Sequence, residues 1–247
     1  MARTLEQSIT IQAPASDVWR ALTDADALIC WFAPQARVVP GAGGSIWMSW
    51  GPGMEGTTHI MTWEPGRHLR TQDQLPTGDN PNASSVDFQL DEQDGHTTLR
   101  LQTGGIAEGP KGDAHLASLR RGWTVYLFNL KRLVERHLGQ PGGQHYATLV
   151  AEGASPQELW ERVSRLVSPA VKQGAKVSIA GVSGEVVLHE PGEILGLELD
   201  APKGGLLQIL FENGMVAPGL FVQGASPDTA RGAWEKVVTA LHHATSP

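Results

Sequence analysis

A pattern that runs through the first half of the chain returns, fainter, in the second. APASDVWRAL at 13–22 matches ASPQELWERV at 154–163, with Trp19 opposite Trp160. WEPGRHL at 63–69 matches HEPGEIL at 189–195, and TTLRLQTGG at 97–105 matches LQILFENGM at 207–215. LRRGWTVYLFNLKRLVERH at 119–137 matches TARGAWEKVVTALHHA at 229–244. Each pairing is loose, but four in one order point to two copies of one unit, and a repeat constrains architecture more than any single motif does. The separation of partners falls from 141 to 126 to about 110 residues, so the second copy is shortened by about 15 residues in each of two places. The joint falls in HLGQPGGQH (137–145), rich in glycine and proline as linkers are. A chain of 247 residues has room for two small domains, placed here at 1–140 and 146–247.

Within the first copy, SITIQA (8–13) alternates as a strand does. Pro14 then opens a helix, where its missing N–H costs nothing, with Val18, Trp19, Leu22 and Ile29 on the apolar side. In the second copy Ser155, Pro156 and Glu158 form the pattern of a capping box. PGAGG (40–44) turns the chain into SIWMSWG, where Ile46, Met48 and Trp50 share one face. Trp47 faces the other way, toward the second domain or a partner. THIMTWEPGRHLRTQ (58–72) reads as two strands bent at Glu64-Pro65-Gly66. SVDFQLDEQDGHTTLRLQT (85–103) reads as a hairpin with Val86, Phe88 and Leu90 inward. DAHLASLRRGWTVYLFNLKRLVERHL (113–138) is a long amphipathic helix with Leu116, Leu119, Trp123, Tyr126, Leu127, Leu130 and Val134 on its apolar side. Strand, helices, antiparallel strands and a final long helix make an α+β plan.

Several chemistries find no support in these residues. The formal charge is −7 and no run of Lys or Arg exceeds two residues, which argues against a nucleic-acid surface. Cys30 is the sole cysteine, so neither an intrachain disulfide nor a thiolate metal cluster is expected. Its apolar neighbours raise a thiol's pKa rather than activate it, so its role is structural. None of the nine histidines falls in an HExxH or similar metal spacing, and His242 and His243 point about 100° apart on a helix. There is no G-x-S-x-G elbow, and the acids Asp24, Asp26, Glu55, Asp73 and Asp87 cannot be paired from sequence. GAGG (41–44) lacks the lysine of a phosphate loop and is a turn; GPGMEG (51–56) is a hairpin tip, at most a lip over a cavity. No catalytic residue, metal or cofactor is assigned. With no apolar leader and no stretch of about 20 apolar residues, a cytoplasmic protein without membrane insertion is expected.

The order of elements, APASDVWRALTDADALICWFAP, the GG before the second strand, EPGRHL and the late Gly122-Trp123 together resemble the START/SRPBCC superfamily, whose helix-grip fold is shared with birch-pollen-allergen-like proteins. Within it the chain is similar to the bacterial branch named after the heat-shock-protein ATPase activator. The resemblance covers roughly residues 6 to 138. The second half resembles the same family more faintly, lacking CWFAP, and is expected to be short of a strand or a hairpin.

The resemblance implies a curved antiparallel sheet wrapped around a long C-terminal helix, present twice. It also implies a deep cavity in the first domain for a small hydrophobic or amphipathic molecule such as a lipid or polyketide. By the same resemblance Trp31 and Phe32 close one end of that cavity, and Met48, Trp50, Met61, Trp63, Phe88 and Trp123 line it. Tyr126 and Leu127 stand on the same side of the helix as Trp123. His59 alternates with Met61 and Trp63, which would make it a polar anchor. Non-catalytic binding is the leading expectation. The alternatives are a cyclase- or aromatase-like enzyme in the same cavity, or a chaperone-cofactor-like interaction module. Monomer and homodimer remain equally open.

Overall fold

The computed structural model describes residues 3–73 and 84–246. It divides into two compact units, Met1–Gly139 and Gln140–Pro247. In the first, β1 (Arg3–Ile11) is followed by α1 (Ala15–Thr23) and α2 (Ala25–Leu28). Then come β2 (Gln35–Val39), β3 (Ser45–Ser49), β4 (Glu55–Glu64), β5 (His68–Gln72), β6 (Ser85–Gln93) and β7 (His96–Ile106), and last α3 (Pro110–Arg136). All seven strands join one antiparallel sheet in the order β1-β7-β6-β5-β4-β3-β2.

Local chemistry accounts for the elements that frame the interior. Pro14 sits at the N-cap of α1 rather than inside it, and offers no side chain to the helix. Glu92 on β6 takes over that role by accepting from the Ala15 N–H at 2.8 Å, a carboxylate at the positive end of the helix. Asp24 caps α2 by accepting from the Asp26 and Ala27 N–H groups. α3 spans 27 residues, or about 40 Å. Trp123, Leu127, Leu130, Leu133 and Val134 pack from it into the core formed with Leu5, Ile11, Leu99 and Leu101.

The second unit repeats this order. It contains β8 (Gly142–Tyr146), a two-residue β9 (Leu149–Val150), α4 (Pro156–Ser164), β10 (Val167–Ser168), β11 (Lys176–Ile179), β12 (Val182–Glu190), β13 (Ile194–Leu199), β14 (Gly205–Glu212), β15 (Met215–Gln223) and α5 (Arg231–Thr245). Its sheet runs β8-β15-β14-β13-β12-β11-β10, strand for strand the order of the first, with β9 beside β15. The helix-grip fold is therefore present twice. The second copy lacks no strand, contrary to the sequence expectation. It is shorter because no helix matches α2, because β10 and β11 have two and four residues, and because α5 has 15. It also begins earlier than residue 146, since β8 belongs to its sheet.

The two EPG motifs make the same turn. Arg67 N–H donates to Glu64 O, and Glu193 N–H to Glu190 O, each at 2.9 Å. Gly66 and Gly192 take φ of +71° and +79°, the type II turn that proline and glycine at the two central positions prescribe. The third echo, however, joins the wrong strands. Residues 97–105 lie on β7, whereas 207–212 lie on β14, the counterpart of β6. The correct match pairs the two-residue loop Asp94-Gly95 with Asn213-Gly214.

Candidate functional site

In the first unit the sheet and helices leave a cavity of about 560 Å³. Leu22 of α1, Leu28 of α2 and Trp31 and Phe32 just beyond contribute one side. Ile46 and Met48 of β3, Trp50, Leu69 of β5, Val86 and Phe88 of β6 and Trp123 of α3 contribute the rest of the apolar wall. The hairpin end after β3 adds Met54, Glu55 and Gly56, and the polar side is completed by Thr57, Thr58, Thr71 and Asp73. Met54 to Thr57 and Asp73 are exposed, so the cavity meets solvent there.

The aromatic wall is built around Phe32. Its ring stacks on Trp31 (centroids 5.0 Å) and Trp123 (5.5 Å) and meets Trp50 and Tyr126 edge-on at 5.6 and 4.6 Å. Phe88 meets Trp123 edge-on at 5.7 Å. Trp31 is 1% exposed. Its indole N–H donates to Ala21 O at 2.9 Å, and its own carbonyl accepts from Asn129 Nδ2 at 3.4 Å. Trp31 thus ties α1 to α3, whereas Phe32 is only half-buried and fronts the space.

The sequence-derived candidates divide. Trp31, Phe32, Met48, Trp50, Phe88 and Trp123 lie on the cavity wall. Tyr126 and Leu127 lie behind it, Tyr126 against Phe32 and Trp123, and Leu127 in the core. His59, Met61 and Trp63 are not brought to it. The reason is a β-bulge: the pairing of β4 with β5 shifts between Ile60 and Thr62, and a bulge moves the alternation by one residue. Thr58 and Ile60 therefore face inward, while His59 and the 41%-exposed Met61 face out. Beyond the bulge Trp63 turns inward but packs edge-on against Trp19 at 5.0 Å. Trp47 faces out as expected, with the Arg37 guanidinium 4.8 Å above its ring.

The residues that sequence reasoning missed are the threonines and acids of the polar side and the apolar Leu22, Leu28, Ile46, Leu69 and Val86. Ile46 and Val86 carried a signal in the alternation of their strands; the threonines carried none. Asp73 has its carboxyl raised above the ordinary range by partial burial, which a hydrogen bond with Ser84 offsets in part. Among the described residues, no group of three or more His, Cys, Asp or Glu is placed to hold a metal ion, and no helix is long and apolar enough to cross a membrane.

Cys30 is adjacent to the wall but sealed from it. Its thiol is 2% exposed and donates to Asp26 O at 3.2 Å. Burial, then the charges of Asp26 and Asp24, push it from 9.0 up to about 11. At pH 8 only about one thiol in a thousand is then ionised. An aromatic disulfide reagent at pH 8 is expected to leave Cys30 unmodified in the folded protein and to titrate one thiol in urea; rapid reaction in the native state would contradict this burial. Because the folded pKa is the raised one, the stability tied to the buried thiol is complete below about pH 9 and is lost as pH rises through 11.

The second unit has a buried cluster of its own. Trp160 and Phe211 meet edge to face at 5.3 Å, within a cluster that includes Leu197, Leu220 and Leu241.

Comparison with known proteins gives a family and a set of similar folds. The family model described as "Activator of Hsp90 ATPase homolog 1-like protein" matches residues 12–135. Among solved structures, the Aha1 dimer from Colwellia psychrerythraea is 21% identical at a TM-score of 0.47, over 54% of this chain and 97% of that one. Protein MLL2253 from Mesorhizobium loti is 24% identical at a TM-score of 0.47, over 54% and 98%. DynU16, of the dynemicin biosynthetic locus, is 17% identical at a TM-score of 0.46, over 98% and 95%. No curated protein matches the chain.

Proposed function

The chain belongs to the Activator of Hsp90 ATPase homolog 1-like family, within the START/SRPBCC superfamily, and we propose that its first unit binds a small hydrophobic or amphipathic molecule in the cavity between sheet and helices. One observation carries this reading: a space of about 560 Å³ walled by Trp31, Phe32, Trp50, Phe88 and Trp123. Small-molecule sites are concave and mostly apolar, with a few polar groups that orient the ligand. This cavity has both parts. Removing apolar ligand surface from water supplies about 25 cal/mol per Å² before the costs of association. The stacked rings are held by one another and by the backbone bond of Trp31, so little side-chain freedom is lost on binding.

A binding role also suits the described lining, in which the ionisable side chains are Glu55 and Asp73. Such a wall shapes a molecule and takes its apolar part out of water.

Native mass spectrometry of the purified chain, followed by organic extraction and titration with the neutral apolar dye Nile red, tests the proposal. A co-purifying apolar mass, or saturable dye binding that extracted lipid reverses, is the expected result. A bare mass together with no dye binding would overturn it.

A further inference from the structure

The chemistry of the cavity's open end narrows the class of ligand; the inference rests on the binding reading above. The polar lining is gathered at one place. β4 and β5 run antiparallel, with His59 opposite Gln72 and Ile60 opposite Thr71. That register brings Thr58, near the start of β4, to the end of β5, where Thr71 and then Asp73 stand, while Glu55 and Thr57 lie farther along β4 toward the hairpin. The other end of the cavity is aromatic and aliphatic, and the indole N–H of Trp31 is already committed to Ala21 O.

Among the described residues, no Lys, Arg or His lines the cavity. On β5, His68 and Arg70 occupy the alternate positions, on the opposite face from Leu69 and Thr71, and His59 of β4 is not part of the described lining. His68 is moreover engaged with Asp87 at 3.0 Å. Among the described residues, the charged groups of the lining are therefore both carboxyls, with hydroxyls beside them.

We propose that the first unit selects amphiphiles whose polar group is a neutral hydrogen-bond donor or a cation, seated at the β4–β5 mouth, and discriminates against anions such as fatty carboxylates. The site itself is the apolar cavity; the acids decide which head group it tolerates. A hydroxyl or ammonium group donates to a carboxylate and gains a charge-assisted bond. A carboxylate head group at the mouth would meet two like charges with no countercharge among the described lining residues, and like charges repel. The threonine hydroxyls can donate or accept and so do not choose between them.

Three probes that share a twelve-carbon tail make the test: dodecanol, dodecylamine and dodecanoate, each below its aggregation threshold at pH 8. They compete against Nile red on the full chain, with tryptophan fluorescence as a second readout. The alcohol and the amine are expected to displace dye at concentrations at least about tenfold lower than dodecanoate. In a Glu55→Gln/Asp73→Asn variant the gap between amine and carboxylate is expected to close to about threefold or less. Dodecanoate competing as well as dodecanol in the unmodified protein would overturn the selectivity while leaving cavity binding intact. A protein that binds neither Nile red nor any of the three would overturn the binding reading and this inference with it. The ranking on the unmodified protein decides even if the double variant fails to fold, and that variant's circular dichroism checks its fold.

Discussion

Replacing Trp31 with alanine lowers the stability of the first unit by about 4 kcal/mol, the upper range for emptying an aromatic site in a core. Three losses combine. The indole is 1% exposed and stacks on Phe32 at 5.0 Å, so its removal leaves a void that the neighbouring rings cannot collapse into without giving up their own contacts. The bond from the indole N–H to Ala21 O disappears, leaving a carbonyl of α1 without that donor inside the unit. The anchor between α1 and α3 loosens, although the backbone bond from Asn129 to Trp31 O survives the substitution. Trp31→Phe separates these causes. It keeps a stacked ring and loses the N–H, and its expected cost is about 1–2 kcal/mol. Urea unfolding followed by circular dichroism measures both, fitted with two transitions because two units need not unfold together. A Trp31→Ala protein within about 1 kcal/mol of the original would show that this indole is not part of the core.

That prediction also divides the pair of aromatics that open CWFAP's apolar run. Trp31 is structural first and wall second; Phe32, half-buried and touching four other rings, is wall first. Sequence alone could not separate them, because adjacency in a loop carries no period.

Where a period or a turn rule applied, the chain was readable. The apolar stripe from Leu116 to Val134 announced α3, EPG announced a turn, and Ser155-Pro156 with Glu158 announced the cap of α4, where both capping-box bonds are present. Misreadings arose where a local irregularity broke the period. A single bulge near Met61 reversed the facing of His59 and Met61 and hid Thr58 and Ile60 behind an apparently clean alternation. The second copy looked a strand short because β10 and β11, of two and four residues, are too brief to display alternation at all. The polar end of the cavity is a product of register. Thr58 and Asp73 line one space only because β4 and β5 fold back on each other, and nothing in either stretch marks it as one side of a cavity.

Filling the cavity should have the opposite signature from emptying the core. Val86 lies on β6 opposite Thr71, half-buried and facing the space. Phenylalanine suits a strand as well as valine does, and the added ring atoms would enter existing volume rather than displace neighbours. Val86→Phe is expected to weaken Nile red binding by at least about tenfold, since a pocket narrowed by an aromatic ring forfeits contact area with any occupant. Its unfolding midpoint without ligand is expected to stay level or rise, because newly buried apolar surface stabilises wherever packing has slack. The ligand-dependent rise in stability, about 2.7 kcal/mol for a ligand at a hundred times its Kd, should vanish with the binding. Thermal unfolding with and without dye, beside a direct titration, reads all three. A Val86→Phe protein that loses more than about 2 kcal/mol without ligand would mean that the space is already filled by its own side chains, as overpacked cores behave. If it stays stable and still binds dye as before, the dye sits elsewhere on the chain. Lost binding with retained stability is the result that a working cavity requires, because only there do stability and occupancy compete for the same volume.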